Sequence, residues 1–176
     1  MIIDKLESYT LHIDQANHYL TRRKISKLLE QLKSHLHFSY EFIRLKQAFV
    51  LRVQLPKKAL PYLISFLSYH NYLFHHIVLT QYEHLLTERT SHAAVEKHFE
   101  IAIDGLNDMF IKDKIIDVLN SFKHHNIHYG FSNRTLKLTT THSIFMLLIQ
   151  KLAIYHIDIY HASQPIRSYK KRAHSC

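Results

Sequence analysis

Histidine is the residue type with the most evident capacity for chemistry in this chain, which contains 17 of them. Neutral imidazole binds metal ions and exchanges protons near neutral pH. The densest groups are His35 with His37, His75 with His76, and His124, His125 and His128. A zinc site needs three or four converging ligands, and neighbours on a strand point to opposite faces. We therefore expect that His75 and His76 do not share a metal, and predict a histidine-rich surface that becomes more basic below about pH 6.5.

The motifs of nucleophilic and phosphate chemistry are missing from the sequence. The single cysteine is the last residue, Cys176, and no serine lies in a GxSxG elbow. HExxH and paired CxxC motifs do not occur, and two glycines are too few for a Gly-rich phosphate loop. We predict a protein that is not an enzyme and has no metal or cofactor.

Two acidic residues recur at equivalent places, Asp14 and Asp104, each followed three positions later by Asn17 or Asn107. They could form a paired polar site at two equivalent loops. Asp and Asn also bond local backbone amides in turns and caps. We favour this local structural role.

Basic residues exceed acidic ones, with a formal net charge of +9. Such a balance favours an acidic partner, which could be nucleic acid, an anionic membrane or an acidic protein surface. The candidate partner or phosphate contacts are Arg22, Arg23, Lys24, Lys57, Lys58, Arg167, Lys170, Lys171 and Arg172. Contacts of this type would be blind to sequence and strongly dependent on salt.

The N-terminal stretch and the apolar segments of the chain indicate its cellular location. The N-terminal stretch MIIDKLESYTLHID contains acidic residues where a secretory signal has a basic flank and an unbroken apolar run. The apolar stretch IFMLLIQKLAIY is interrupted by Gln150 and Lys151 and is too short to span a bilayer. We expect a cytoplasmic protein without a transmembrane segment.

One pattern of residues occurs twice in the chain. Residues 11–39 align with residues 101–129 at a constant offset of 90, and the offset falls to 85 after the next turn. The identical pairs include Ile13 with Ile103, Asp14 with Asp104, Asn17 with Asn107, Lys24 with Lys114, Ile25 with Ile115, Leu29 with Leu119, Lys33 with Lys123 and His35 with His125. A shortened hairpin explains the change of offset, because hairpin connections tolerate changes of length.

Each copy contains the same series of predicted elements. Strand-like alternation in YTLHID and HFEIAID precedes an amphipathic helix, a hairpin, a second helix and a last strand. We place Asn133 and Arg134 at the shorter hairpin turn, and Pro56 at the first position of the second helix.

The order βαββαβ predicts an α+β fold with two tandem ferredoxin-like modules, in which helices cover one face of each antiparallel sheet. We place the first module at 1–92 and the second, with its basic C-terminal tail, at 93–176. Part of the open face of each sheet is expected to pack on the sister copy.

The segment that follows the first copy resembles a known family. In QYEHLLTERT, residues 81–90, Tyr82, Glu83, Leu85 and Leu86 occupy the Leu, Glu, variable and Phe places of the SLEDxFLxxT signature. That signature closes the accessory C-terminal region of many ABC-transporter ATPase subunits. The resemblance implies a free-standing relative of a regulatory module that docks on a transporter or another protein, without ATP hydrolysis.

Two other classes share the element order. RNA-recognition motifs stack bases on strand aromatics, but TLKLTTT in the second copy has none. Tandem ACT domains resemble the chain in topology and would bind an amino acid between copies, although only Gly105 represents their Gly-rich loop.

We therefore predict, first, a non-catalytic regulatory or adaptor protein that binds a protein partner and can form a homo-oligomer. The runner-up is a basic nucleic-acid-binding protein, and a small-ligand sensor is third.

Overall fold

The structure, a computed structural model, describes residues 5–86 and 94–165. Within these ranges the chain forms eight strands and four α-helices. In order they are β1 Leu6–Ile13, α1 Tyr19–Leu32, β2 Ser39–Leu45, β3 Ala48–Pro56, α2 Leu60–Tyr69, β4 Phe74–Leu79, β5 Glu96–Ile103, α3 Met109–Asn120, β6 His128–Ser132, β7 Thr135–Thr141, α4 His142–Ile154 and β8 Ile159–Ser163. Two short 3-10 segments, Lys57–Ala59 and Thr80–Leu85, follow β3 and β4.

All eight strands belong to one antiparallel sheet in the order β2-β3-β1-β4-β8-β5-β7-β6. The α+β class predicted from the sequence is therefore confirmed. β4 and β8 are adjacent at the centre of the sheet, so the first and second halves of the chain share one continuous sheet.

Helices form where the sequence places apolar residues three and four positions apart. In α1 the buried residues are Ile25, Leu29 and Leu32, and in α3 they include Ile115 and Leu119. This spacing puts one apolar stripe of each helix against the sheet. The helices are thus held to the sheet by burial of the periodic residues.

The elements recur in the same order in both halves, and so do unusual backbone conformations. Among the described residues, six have a positive φ: Gln15, Lys46, Asn71, Gly105, Asn133 and His156. They form three pairs at corresponding positions, since Gln15 corresponds to Gly105 and Asn71 to His156, while Lys46 and Asn133 each begin a two-residue hairpin turn. Because a left-handed conformation is unfavourable for most residues, its recurrence shows that both halves need the same turns.

The hairpins explain the change of sequence offset. Leu45 pairs with Ala48 in the first hairpin, and Ser132 pairs with Thr135 in the second. Both turns therefore have two residues, with Asn133 and Arg134 where the sequence predicted them. The second hairpin is shorter in its strands, which have 5 and 7 residues instead of 7 and 9.

The two halves meet edge to edge, so the expected packing of one sheet face on the sister copy is wrong. β4 pairs with β8 through Ile77 and Ala162, which occupy corresponding positions of the two halves. Contact between equivalent residues is the mark of a two-fold relation. An edge contact satisfies the backbone groups of β4 and β8, which would otherwise be unpaired strand edges.

Helices α2 and α4 contact each other above this strand pair and repeat the two-fold relation. Ser65 Oγ donates to the carbonyl oxygen of Ala153 at 3.0 Å, and Gln150 Nε2 donates to the carbonyl oxygen of Ser68 at 3.2 Å. Ser65 corresponds to Gln150, and Ser68 corresponds to Ala153. The two hydrogen bonds are therefore reciprocal.

The predicted start of the second helix needs a correction. Pro56 is the last residue of β3, paired with Leu6, and α2 begins at Leu60 with Pro61 in its first turn. Pro61 supplies the helix-start preference assigned to Pro56, because its missing amide proton has no helical partner there.

None of the helices in the described ranges is both long and apolar enough to cross a membrane.

Candidate functional site

The basic residues at the beginning of α1 do not form a free cationic cluster. Arg22 donates from Nη1 to the carbonyl oxygens of Ala16 and Asn17, both at 2.8 Å. Its guanidinium also lies 3.8 Å from the centre of the Phe49 ring. Arg22 therefore closes the loop between β1 and α1, a structural role that stacking and the planar donor group favour. Arg23 and Lys24 are exposed.

Lys57 and Lys58 are exposed at the opposite end of β3. They follow Pro56, whereas Arg22 contacts Phe49 near the beginning of the strand. Eight residues of extended chain separate the two places by about 26 Å. The structure thus does not bring the two basic groups together. Arg167, Lys170, Lys171, Arg172 and Cys176 lie outside the described residues.

Four histidines and one aspartate form a cluster at the junction of the two halves. His75 is buried, with 1% of its surface exposed, and its ring hydrogen bonds at both nitrogens. Nε2 lies 2.9 Å from Asp14 Oδ1, and Nδ1 lies 2.8 Å from His142 Nε2. The three side chains form a hydrogen-bonded relay from the residue after β1 through β4 to α4, which connects the two halves of the chain.

Two more imidazole rings complete this cluster. The His12 ring centre is 4.8 Å from that of His75, and the His76 ring centre is 6.0 Å from that of His142. His76 is also buried, with 5% of its surface exposed. The expectation that His75 and His76 do not share a metal was based on strand alternation, and this alternation does not hold here, since both rings pack against His142.

A β-bulge causes this departure from alternation. His12 pairs with His76, but the next residue, Ile13, pairs with Phe74, which leaves His75 as an extra residue in β4. A bulge turns side chains away from their regular directions. The structure also revises the local role expected for Asp14, whose carboxylate contacts His75. It also revises the local role expected for Asn17, whose side-chain oxygen accepts from the amide of Phe49, a residue of β3 that is distant in the sequence, at 2.7 Å.

The cluster has the residue types of a metal site without its arrangement. Within residues 5–86 and 94–165, no three His, Cys, Asp or Glu side chains are placed to hold a metal ion together. His75 uses both ring nitrogens in hydrogen bonds to Asp14 and His142. The geometry fits a buried polar connection that holds the two halves in one arrangement.

A second feature lies on the sheet face opposite the helices. In the first half the segment Thr80–Leu85, here called the cover segment, lies across β1 and β4. Its Glu83 accepts from Arg52 Nη2 at 2.6 Å and from the hydroxyl of Thr10 at 2.7 Å. Thr80 lies 2.8 Å from Ser8, oxygen to oxygen. The cover segment therefore seals the polar middle of this face, and Thr10 is fully buried.

The corresponding face of the second half forms a groove of about 610 Å³. His98, Glu100 and Lys137 line it at the positions of Ser8, Thr10 and Arg52. His128, Tyr129 and Gly130 from β6 and Gln164 and Pro165 after β8 contribute further walls. We call this the sheet groove. The alternation of polar and apolar residues in the sequence could have predicted which strand residues line the sheet groove. It could not have predicted that the described part of the chain leaves the sheet groove open.

The partly buried imidazole of His161 should make the stability of the protein depend on pH. Burial lowers the pKa of its imidazole below the ordinary value of 6.5, against the opposing influence of Glu100. The unfolded chain then binds a proton more readily than the folded protein, so stability is present above pH 6.5 and is lost as pH falls from there through the lower folded pKa. We expect His161→Gln to flatten the decline of unfolding free energy between pH 7 and 5, by at most about 1.4 kcal/mol per pH unit. Urea unfolding across this range measures it; an unchanged slope would contradict it.

Comparisons with known proteins add no assignment to this α+β fold. No family model matches the chain, and neither a curated protein nor a solved structure matches it.

Proposed function

We propose that this protein is a non-catalytic adaptor that binds an extended segment of a partner protein in the sheet groove of its second half. One observation carries the proposal: the same face in the first half is occupied by a protein segment. Because the halves have matching strands, the cover segment is a template for what the sheet groove can hold.

The proposal includes the finer architecture. We infer that the chain consists of two ferredoxin-like units that arose by duplication, with a boundary near residues 92 and 93. The strand order β2-β3-β1-β4 recurs as β6-β7-β5-β8, and the paired left-handed turns support the same inference. An ancestral unit that used its open face for a segment would give both copies the same capacity.

The contacts of the cover segment indicate which side chains the partner should present to the sheet groove. Glu83 of the cover segment binds Arg52 on β3, and Lys137 occupies the corresponding place on β7. A carboxylate of the partner would pair with Lys137 in the same manner. Glu100 replaces Thr10, so a basic or hydroxyl side chain of the partner would pair with Glu100.

The proposal also includes the type of partner, the cellular location and the lack of enzymatic activity. A transporter-associated partner fits the resemblance of residues 81–90 to the accessory region of transporter ATPases. A cytoplasmic location and the lack of enzymatic activity belong to the same proposal. The runner-up, nucleic-acid binding, gains no support from the predicted contacts that the structure describes, because Arg22 is engaged in hydrogen bonds to the backbone and the α1 group lies far from Lys57 and Lys58.

The test is affinity capture from extracts of the native host, treated with nuclease, with a charge-reversed groove. We expect Lys137→Glu combined with Glu100→Lys to lower capture of a specific protein about tenfold, since like charges replace complementary ones. Lys137 is exposed and Glu100 is half-buried, so small changes in stability are expected. Quantitative mass spectrometry of the captured proteins gives the measurement.

Two controls separate the alternatives. Arg23→Glu with Lys24→Glu changes two exposed charges on α1 and should leave capture of that protein unchanged. The second control is a chain truncated after Pro165. If residues 166–176 compete with the partner for the sheet groove, this truncation should raise the amount of partner captured. The adaptor proposal would be refuted if both charge variants lost the partner equally. It would also be refuted if the protein captured only nucleic acid, and no specific protein, from extracts without nuclease.

A further inference from the structure

A groove of about 320 Å³ lies at the junction of the two halves, away from the sheet groove. The first half contributes Lys57 and Lys58, and the second half contributes Ala102, Ile103, Asp104, Arg134 and Tyr160. Cavities of this size accept small molecules. We call it the junction groove.

The junction groove and the histidine cluster occupy corresponding places in the two halves. Tyr160 corresponds to His75, Lys57 to His142 and Asp104 to Asp14. Both His75 and Tyr160 are the extra residues of matching β-bulges, since Ala102 pairs with His161 while Ile103 pairs with Ile159. The backbone therefore builds two equivalent sites, one on each side of the junction.

The side chains fill one of these equivalent sites and leave the other open. At the histidine cluster, the His75 and His142 rings stack with centres 5.0 Å apart, and His75 is buried. At the junction groove, Lys57 Nζ lies 5.4 Å from the centre of the Tyr160 ring, Lys57 is exposed and Tyr160 is half-buried. A flexible lysine in place of a ring leaves space that the cluster fills.

The lining of the junction groove has three cationic side chains and one carboxylate. Lys57, Lys58 and Arg134 are all exposed and can turn toward a bound anion. Arg and Lys bind phosphate through charge-assisted hydrogen bonds, and Arg can do so with two parallel bonds. The half-buried side chains of Tyr160 and Ala102 lie beside these donors.

Tyr160 adds a neutral hydrogen-bond donor. Partial burial, and then the charges of Asp158 and Asp104, raise the pKa of its phenol above the ordinary value of 10. Its hydroxyl therefore keeps its proton at neutral pH and can donate to an anionic oxygen. Lys57 Nζ lies over the ring, so the ring can contact an apolar body once this flexible side chain turns to a bound anion.

We propose that the junction groove binds a small phosphate monoester, with its phosphate on Lys57, Lys58 and Arg134, its apolar body on Tyr160 and a hydroxyl or amino group on Asp104. Ligand binding there joins groups from both halves across the same junction that the histidine cluster holds on the other side. The site is independent of the adaptor function and of the sheet groove.

The test uses the full chain with inorganic phosphate and phenyl phosphate, measured by isothermal calorimetry and thermal unfolding at constant ionic strength. We expect saturable binding of both anions, with phenyl phosphate at least tenfold tighter because Tyr160 contacts its ring. Lys57→Gln with Arg134→Gln should weaken both at least tenfold. Tyr160→Leu should remove most of the preference for phenyl phosphate while it retains binding of inorganic phosphate.

The matched control is Arg23→Gln with Lys24→Gln, which removes the same number of exposed charges from α1 and should leave both affinities unchanged. Binding that is not saturable, or that falls equally in both double variants, would overturn the proposal in favour of general charge attraction. Equal affinities for the two anions in the unaltered protein would refute the role of Tyr160. Circular dichroism and thermal unfolding without ligand establish that each variant is folded.

Discussion

Replacing His75 with Ala is expected to lower the free energy of unfolding by about 3 kcal/mol. The substitution removes both hydrogen bonds of the relay and leaves Asp14 and His142 without their shared partner. It also opens a cavity, because His75 is buried and packs against the His12 and His142 rings. Urea unfolding at pH 7.5, followed by circular dichroism, gives the measurement.

Two comparisons test whether the relay itself causes this loss. His125→Ala changes an exposed histidine and should alter stability by less than about 0.5 kcal/mol. His142→Ala should be destabilising, and its effect should not add to that of His75→Ala, since both variants break the same hydrogen bond. A loss below 1 kcal/mol for His75→Ala, or full additivity of the two variants, would contradict a connected relay.

The sequence predicted the elements well because their signals are local. The spacing of Ile25, Leu29 and Leu32 is that of a helix face, and those residues are buried. The hairpin turn at Asn133 and Arg134 was predictable for the same reason, since a two-residue turn favours residues that accept a positive φ. Local periodicity and turn chemistry do not depend on which strands become neighbours.

The candidate sites were harder to predict because they depend on pairing between distant strands. His75 and His76 face a common partner only because the register between β1 and β4 shifts after His12. No feature near His75 in the sequence marks that bulge. An internal comparison offered one usable signal, since His75 and Tyr160 occupy corresponding positions in the two halves and the same shift recurs in β8.

The joining of the halves was also outside the reach of local signals. Alternation in β4 is weak because five of its six residues are buried, which is the pattern of a central strand rather than of an edge. That pattern could have indicated a neighbour on both sides of β4. Its identity, β8, follows from the two-fold relation of the halves, which becomes visible only when Ile77 is paired with Ala162.

This two-fold relation leads to the second large effect, which concerns residues 1–92 expressed alone. We expect this fragment to form a homodimer. Removing the second half leaves β4 as an edge strand, with unpaired backbone groups and the apolar side chain of Ile77. The two-fold relation places Ile77 opposite its counterpart Ala162, so in a dimer of the fragment Ile77 would lie opposite Ile77 of the second copy. A second copy of the fragment can therefore take the place of residues 93–176.

Analytical ultracentrifugation of the fragment at concentrations between about 1 and 100 µM measures its mass, which should approach twice the monomer mass. Ser65→Asp supplies the control, because Ser65 contacts the carbonyl oxygen of Ala153 across the junction. The fragment dimer would contain two such carboxylates at its interface and the full chain only one, so like-charge repulsion should dissociate the dimer while the full chain remains folded. A fragment that is a folded monomer at every concentration would show that β4 does not need a neighbour. It would also make the continuous sheet a consequence of covalent linkage rather than of complementary surfaces.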